Sequence, residues 1–487
     1  MASTKNYLAI DLGAESGRTI VGSFDGQCLT INETHRFPNT PLRDAAGLHW
    51  DIHKLWDEII KGIKLSSEAY SLSSLAIDTW GVDFALLDKQ GALIEAPYHY
   101  RDSRTDGIMD AVFEIVPKDE IYAQTGIQFM QFNSLYQLYS LLKQKKTILN
   151  EASTFLTIPD LFNYWFTGEK YCEFTNATTT QCLNPLSREW ANELLDIIGI
   201  PVDIFPNIVQ PGTIIGSLQD NLVAEKGLPA LPVVAPACHD TGSAVAAVPA
   251  LDEHFAWLSS GTWSILGVET RKPYLEKDAL TNSFTNEGGV NETWRLSKNI
   301  MGLWIIQECK REWGISYDEI TNLAQEAQPF IAVIDPDADV FFHPGHMVEK
   351  VQEFCRKTHQ VVPQDKGEVA RVVLESLALK YRYVLEKLES MTGNELSPIH
   401  IIGGGSKNAL LNQFTADSTG KTVITGPIEA TAIGNILMQA IALGNIPDLK
   451  AGRKIIKESF LSDIYSAHDT AEWDDAYKKL QNLLMEI

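Results

Sequence analysis

The chain has 487 residues, 45% of them hydrophobic and 21% charged, and carries a net charge of −23. That length exceeds one hydrophobic core and predicts two domains, while so acidic a surface argues against nucleic-acid and anionic-membrane partners. No apolar run reaches the roughly 20 residues of a membrane helix, no secretion signal is visible, and six cysteines without CxxC or zinc-site spacing read as reduced thiols of a cytoplasmic protein.

Residues 7–10 are predicted as a strand. Asp11-Leu12-Gly13-Ala14-Glu15-Ser16-Gly17-Arg18 follows as a small-residue turn, and residues 19–24 as the return strand. Such a turn can present successive backbone amides to a polyphosphate, and it can equally be an ordinary glycine hairpin. Asp11 at the strand end can hold magnesium through water, and Arg18 can reach a phosphate oxygen. Residues 55–70 read as helix and 75–78 as a buried strand. The loop TWGVDF then places Gly81 and Asp83 just past that strand, where the acid can bind sugar hydroxyls or simply serve the turn. Residues 84–87 read as strand, and 134–145 as a helix with Leu135, Leu138, Leu141 and Leu142 on one face.

The stretch LPVVAPACHDTGSAV, residues 231–245, runs a buried strand into an acid. Asp240 at the strand lip can accept a proton from a hydroxyl attacking a phosphoryl group, or it can cap the helix that follows. His239 can donate to a hydroxylated ligand, and Thr241 and Gly242 leave room for one. Residues 255–268 (FAWLSSGTWSILGV) repeat the opening strand–turn–strand pattern half a chain later, with Thr262 in the turn. The repeat predicts two related α/β domains, residues 1–248 and 249–487. Residues 295–313 (RLSKNIMGLWIIQECKREW) read as one amphipathic helix with Asn299 and Gln307 as polar exceptions. A strand over 399–402 enters Gly403-Gly404-Gly405-Ser406, and a helix starts near Asn408 as its cap. That turn suits a nucleotide near a helix N-terminus or a loop needing positive φ; it lacks the GK[ST] of a Walker A loop. Residues 422–424 read as strand, and 429–443 as a helix of small residues.

Taken together and in this order, the hairpin, TWGVDF, HDTGSA, SSGTWS and the late GGG resemble the FGGY carbohydrate kinases of the actin-like ATPase superfamily, over nearly the whole chain. The resemblance implies an α/β fold of two ribonuclease H-like domains flanking a catalytic cleft. It also implies transfer of the γ-phosphoryl group of ATP to a ketose, with Mg2+ bridging the phosphates. DTWGVDF, QFNSLYQL, NIMGLW and GGGSKNALLNQ point within the family to the 1-hydroxyl of L-rhamnulose; L-fuculose, L-ribulose or D-xylulose are the alternatives, and an actin-like ATPase switch is the non-metabolic one. Carried over by position, Asp240 is the general base, and Gly81, His239, Thr241 and Asn299 contact substrate, with Asp83 added on chemical grounds. Ala14, Glu15, Ser16, Gly17, Arg18, Thr262, Gln307 and Gly404 contact ATP, and Asp11 supports Mg2+. Glu15 departs from the pattern, since its carboxylate opposes phosphates unless it points outward. A monomer or homodimer is expected.

Overall fold

The first strand is covered on both faces. Lys5–Leu12 (KNYLAIDL) is buried from Tyr7 onward without alternation, which places it inside a sheet with helices on both sides. In the neighbouring strand Thr19 abuts Gly62 of helix Ile52–Ala69, while Gly22 abuts Ile436 of helix Ala430–Ala442. Three residues apart in a strand, the two positions face opposite sides. The computed structural model describes residues 4–45, 47–468 and 470–486.

The chain forms two compact units. The first comprises residues 1–251, 269–296 and 430–459, and the second residues 252–268, 297–429 and 460–487. The first crossing thus lies beside the division expected at 248/249, but the chain does not cross only once. The segment 430–459 returns to the first unit because its helix covers the first sheet. That sheet runs in the order Thr213–Ser217, Pro232–Ala235, Leu72–Thr79, Lys5–Leu12, Ser16–Phe24, Leu29–Pro38. Its middle members are parallel: Asp11 pairs with Asp78, and Val233 with Leu75.

In the second unit, Ala256–Ser260 pairs antiparallel with Ser264–Thr270 and parallel with Ile399–Ile402, which continues to Val423–Thr425. The expected repeat is therefore present. Each unit has a hairpin closed by a short turn (Gly13 N to Ser16 O, 2.9 Å; Gly261 N to Trp263 O, 3.0 Å) and a parallel strand beside it. Asn408 caps helix Ala409–Thr419 as expected, its side chain accepting from Leu411 N.

One expected element is corrected. Residues 295–313 are not one helix but a strand, Trp294–Ile300, and a helix, Trp304–Trp313. Leu296 and Ile300 stand four apart, which mimics helical spacing. Between the two elements Gly302 N donates to Ile300 O at 2.7 Å, a tight turn that no helix contains. Asn299 accordingly lies on a strand and Gln307 on a helix. Among the described residues, no helix is long and apolar enough to cross a membrane.

Candidate active site

Three parallel strands bring their carboxyl ends to one edge of the first sheet. They deliver Asp11, Asp78–Thr79 and, beyond Ala235, the loop leading to Asp240. In α/β sheets that edge is where ligands bind. The loop is docked onto its neighbour: Thr79 N donates to Cys238 O at 2.9 Å, and Thr79 bridges to His239. Helix Asp240–Ala246 starts at the acid itself, with His239 as its N-cap.

Asp240 is one-third exposed, and its described contacts all fall on one oxygen. Oδ1 accepts from Thr241 N at 2.5 Å and from Thr241 Oγ1 at 3.0 Å, and His239 Nε2 stands 3.4 Å away. None of these contacts involves Oδ2. On the far side of the imidazole, Nδ1 lies 2.9 Å from Arg295 Nη2 and 3.3 Å from Glu287 Oε2. Arg295 has no exposed surface and pairs with Glu287 at 2.9 Å. Burial pushes the Glu287 carboxyl up, but the Arg295 charge chiefly opposes it, and the group is held down at about 2.

Beneath this layer lies a buried acid that the sequence reading did not single out. Glu173 caps the short helix Phe174–Thr179, accepting from Thr175 N and Asn176 N, and also takes Cys238 N at 3.0 Å. Thr175 Oγ1 in turn accepts from His239 N at 3.2 Å. Two consecutive amides before Asp240 are therefore fixed by one cap. Burial pushes Glu173 up to about 7 against these donors. The stretch EFTNAT carried no usual capping signal, since Glu is not among the preferred N-cap residues.

The first hairpin turn is shorter than the expected 11–18: it holds Ala14 and Glu15, while Ser16, Gly17 and Arg18 already belong to the return strand, with Gly17 opposite Leu12 and Arg18 opposite Asp11. Asn39, 4% exposed, pins it: its side chain donates to Gly13 O and its backbone N to Glu15 O. Glu15 is exposed, as its charge requires. Arg18 does not stand alone for a phosphate, because its Nε and Nη2 donate to Asp11 Oδ2 at 3.1 and 2.8 Å. Behind Asp11, Asp78 is wholly buried; its Oδ2 accepts from Asn435 Nδ2 at 2.6 Å, and its Oδ1 has no protein partner. Burial, then the neighbouring Asp11 charge, raise its carboxyl well above the ordinary range.

Among the described residues, no cluster of three or more acids, histidines or cysteines could hold a metal ion. Asp11, with the orphaned Asp78 oxygen behind it, fits Mg2+, which takes one or two carboxylates and completes its shell with water and substrate phosphates.

The TWGVDF loop differs from expectation at its acid. Asp83 is 1% exposed. Its Oδ2 accepts from Trp50 Nε1 (2.6 Å), Trp80 Nε1 (3.0 Å) and Tyr100 N (3.2 Å), and its Oδ1 from Gln137 Nε2 (2.9 Å). With its lone pairs taken by protein donors, it is a buried knot that holds aromatic rings rather than a direct sugar contact. Gly81 is half-buried against Thr179, and Thr241 is mostly buried.

The remaining expected residues lie in the second unit. Thr262 sits in the second hairpin turn, where its carbonyl accepts from Trp304 N at 3.0 Å. That contact seats the start of the helix bearing Gln307 against the turn. Gly403 has φ +83 and lies against Ser260 O, which brings the GGG turn to the same strand end, with Gly404 exposed. Thr262, Gln307 and Gly404 thus gather at one edge of the second sheet. Asn299 is half-buried on its own strand.

Residues 6–247 match the N-terminal domain, and residues 256–443 the C-terminal domain, of the FGGY family of carbohydrate kinases. A rhamnulokinase of Bacteroides thetaiotaomicron is 45% identical over 480 residues, covering 98% of this chain and 99% of the relative. A rhamnulokinase of Oceanobacillus iheyensis is 43% identical, covering 94% and 97%. Among solved structures, a ligand-bound xylulose kinase from Lactobacillus acidophilus superposes with a TM-score of 0.85 at 17% identity, covering 99% of this chain and 98% of that one. Plasmodium falciparum glycerol kinase with ADP gives 0.81 at 15% identity, covering 100% and 99%. At such identities these last two are similar in fold alone.

Proposed function

Because this chain belongs to the FGGY family of carbohydrate kinases and is a sugar phosphotransferase, we propose that it transfers the γ-phosphoryl group of ATP to the 1-hydroxyl of L-rhamnulose, a step of L-rhamnose catabolism. The full-length identity to relatives named rhamnulokinase supports the choice of sugar. The observation that carries the mechanism is the asymmetry of Asp240, with Oδ1 saturated and Oδ2 open.

Asp240 Oδ2 takes the proton of the sugar O1–H as O1 attacks the γ-phosphorus. The O1–P bond forms, the bond from phosphorus to the β,γ-bridging oxygen breaks, and ADP leaves. On the first unit His239, Thr241 and Gly81 hold the sugar. Asp83 acts at one remove, by setting Trp50, Trp80 and Gln137. The turn at Ala14 and Glu15, with the strand start Ser16–Arg18, faces the phosphates, and Thr262, Gln307 and Gly404 contact the nucleotide. Asp11 would hold Mg2+, which supplies charge neutralisation on the phosphates; Arg18 serves chiefly to orient Asp11. Six free thiols, five of them buried, suit a cytoplasmic enzyme, acting as a monomer or homodimer.

The test is ADP release with magnesium-ATP against L-rhamnulose, L-fuculose, L-ribulose, D-xylulose and glycerol. L-rhamnulose should lead by kcat/KM. Preference for another ketose would overturn the substrate and keep the chemistry.

A further inference from the structure

The pairing of His239 is more specific than a histidine near a base requires. A guanidinium is a donor at every nitrogen and does not deprotonate in proteins. Arg295 Nη2 lies 2.9 Å from His239 Nδ1, closer than Glu287 Oε2 or Asp240 Oδ1 comes to that ring. Two donors cannot share that distance, so Nδ1 must be the acceptor. Arg295 cannot swing away: it is fully buried, its Nε donates to Gly288 O at 2.8 Å, and its Nη2 also meets Glu287 Oε2. Glu287 Oε2 lies farther from Nδ1, at 3.3 Å, and is engaged by the guanidinium. The proton of a neutral imidazole must then reside on Nε2, the nitrogen 3.4 Å from Asp240 Oδ1.

We propose that Arg295 is a positioning residue that fixes the tautomer of His239, placing its N–H on Nε2 facing Asp240 and the substrate. This rests on Asp240 being the base. Its consequence is that His239 adds a donor beside the already occupied oxygen of Asp240, so the open oxygen Oδ2 does the proton transfer. An imidazolium, or the opposite tautomer, would set N–H against N–H at Arg295. Glu287 balances the buried guanidinium so that the arrangement carries no unpaired charge.

The experiment uses full-length protein labelled with 15N-histidine, with the His239 signals assigned by their loss in His239→Asn. At neutral pH the wild type should show a protonated-type nitrogen at Nε2 and an unprotonated-type nitrogen at Nδ1. A protonated Nδ1 in the wild type would overturn the proposal. In Arg295→Met/Glu287→Gln, which removes both charges together, the tautomers should mix and kcat should fall by about tenfold, the scale of one well-placed hydrogen bond to a charged group. The KM for ATP should hold, and Arg295→Lys should recover part of the loss. An unchanged tautomer and unchanged kcat in the double variant would equally overturn it. Should the double variant fail to fold, the wild-type spectrum alone decides. The spectrum needs no sugar, so failure of the substrate reading leaves this result standing.

Discussion

Glu287 ties stability to pH through its partner. Its folded-state value of about 2 lies below the ordinary 4.5, so the ionised form stabilises the native state. That contribution is full above pH 4.5 and is lost as pH falls from there toward 2. Glu287→Gln should lose about 3–5 kcal/mol at neutral pH, because it leaves Arg295 buried and unpaired. Its stability should also fall less steeply with acid than that of the wild type. Urea titrations across that range check this, and parallel acid limbs would contradict it. Asp83 makes a different demand. All four of its partners are donors, and Gln137 cannot turn its amide around, since its Oε1 accepts from Arg104 and its Nε2 donates to Phe132 O. Asp83→Asn would set an NH2 against a donor and should cost about 1–3 kcal/mol by thermal denaturation. The sequence displayed Asp83 as an acid after a strand. It could not display the donors, which come from Trp50, Tyr100 and Gln137, far along the chain. Arg295 was hidden for another reason, having been read as the start of a helix.

At the scale of elements, the helix Ala430–Ala442 is the most constrained. The sequence showed it as a helix of small residues; the structure supplies the cause. A Cβ on Gly434 would lie 1.8 Å from Ser243 O, so the helix runs backbone to backbone against the helix that begins at Asp240. Asn435 and Gln439 then form a buried chain, Asp78–Asn435–Gln439–Ser74, under the acidic strand ends. Gly434→Ala should push the two helices apart, costing about 1–3 kcal/mol and lowering kcat. A variant with wild-type melting and turnover would refute that contact. The strands around both hairpins were legible because their apolar runs are short and bounded by turn residues. The strand at Trp294–Ile300 was not, because a four-residue spacing serves either period.

At the scale of the molecule, sequence order and packing order diverge. The strand–turn–strand repeat led to the expectation of two contiguous domains divided at 248/249, whereas residues 269–296 and 430–459 return to the first unit without any local signal. Coverage of a sheet face by a distant helix is a tertiary fact, set by matching surfaces rather than by neighbours in sequence. A fragment of residues 1–251 lacks that cover, with Gly22 no longer packed against Ile436. It should therefore show weakened near-ultraviolet circular dichroism and no cooperative melt, whereas the full chain melts cooperatively. A sharply melting fragment would contradict the packing described here.

Phosphoryl transfer depends above all on Asp240 removing the proton from the sugar hydroxyl. The direct test is rapid-quench single turnover of Asp240→Asn with saturating magnesium-ATP and L-rhamnulose, paired with sugar binding by calorimetry. Sugar affinity should stay near normal and the phosphoryl-transfer rate should fall by about 10²–10⁴-fold. Transfer within a few-fold of wild type would remove Asp240 from the base role.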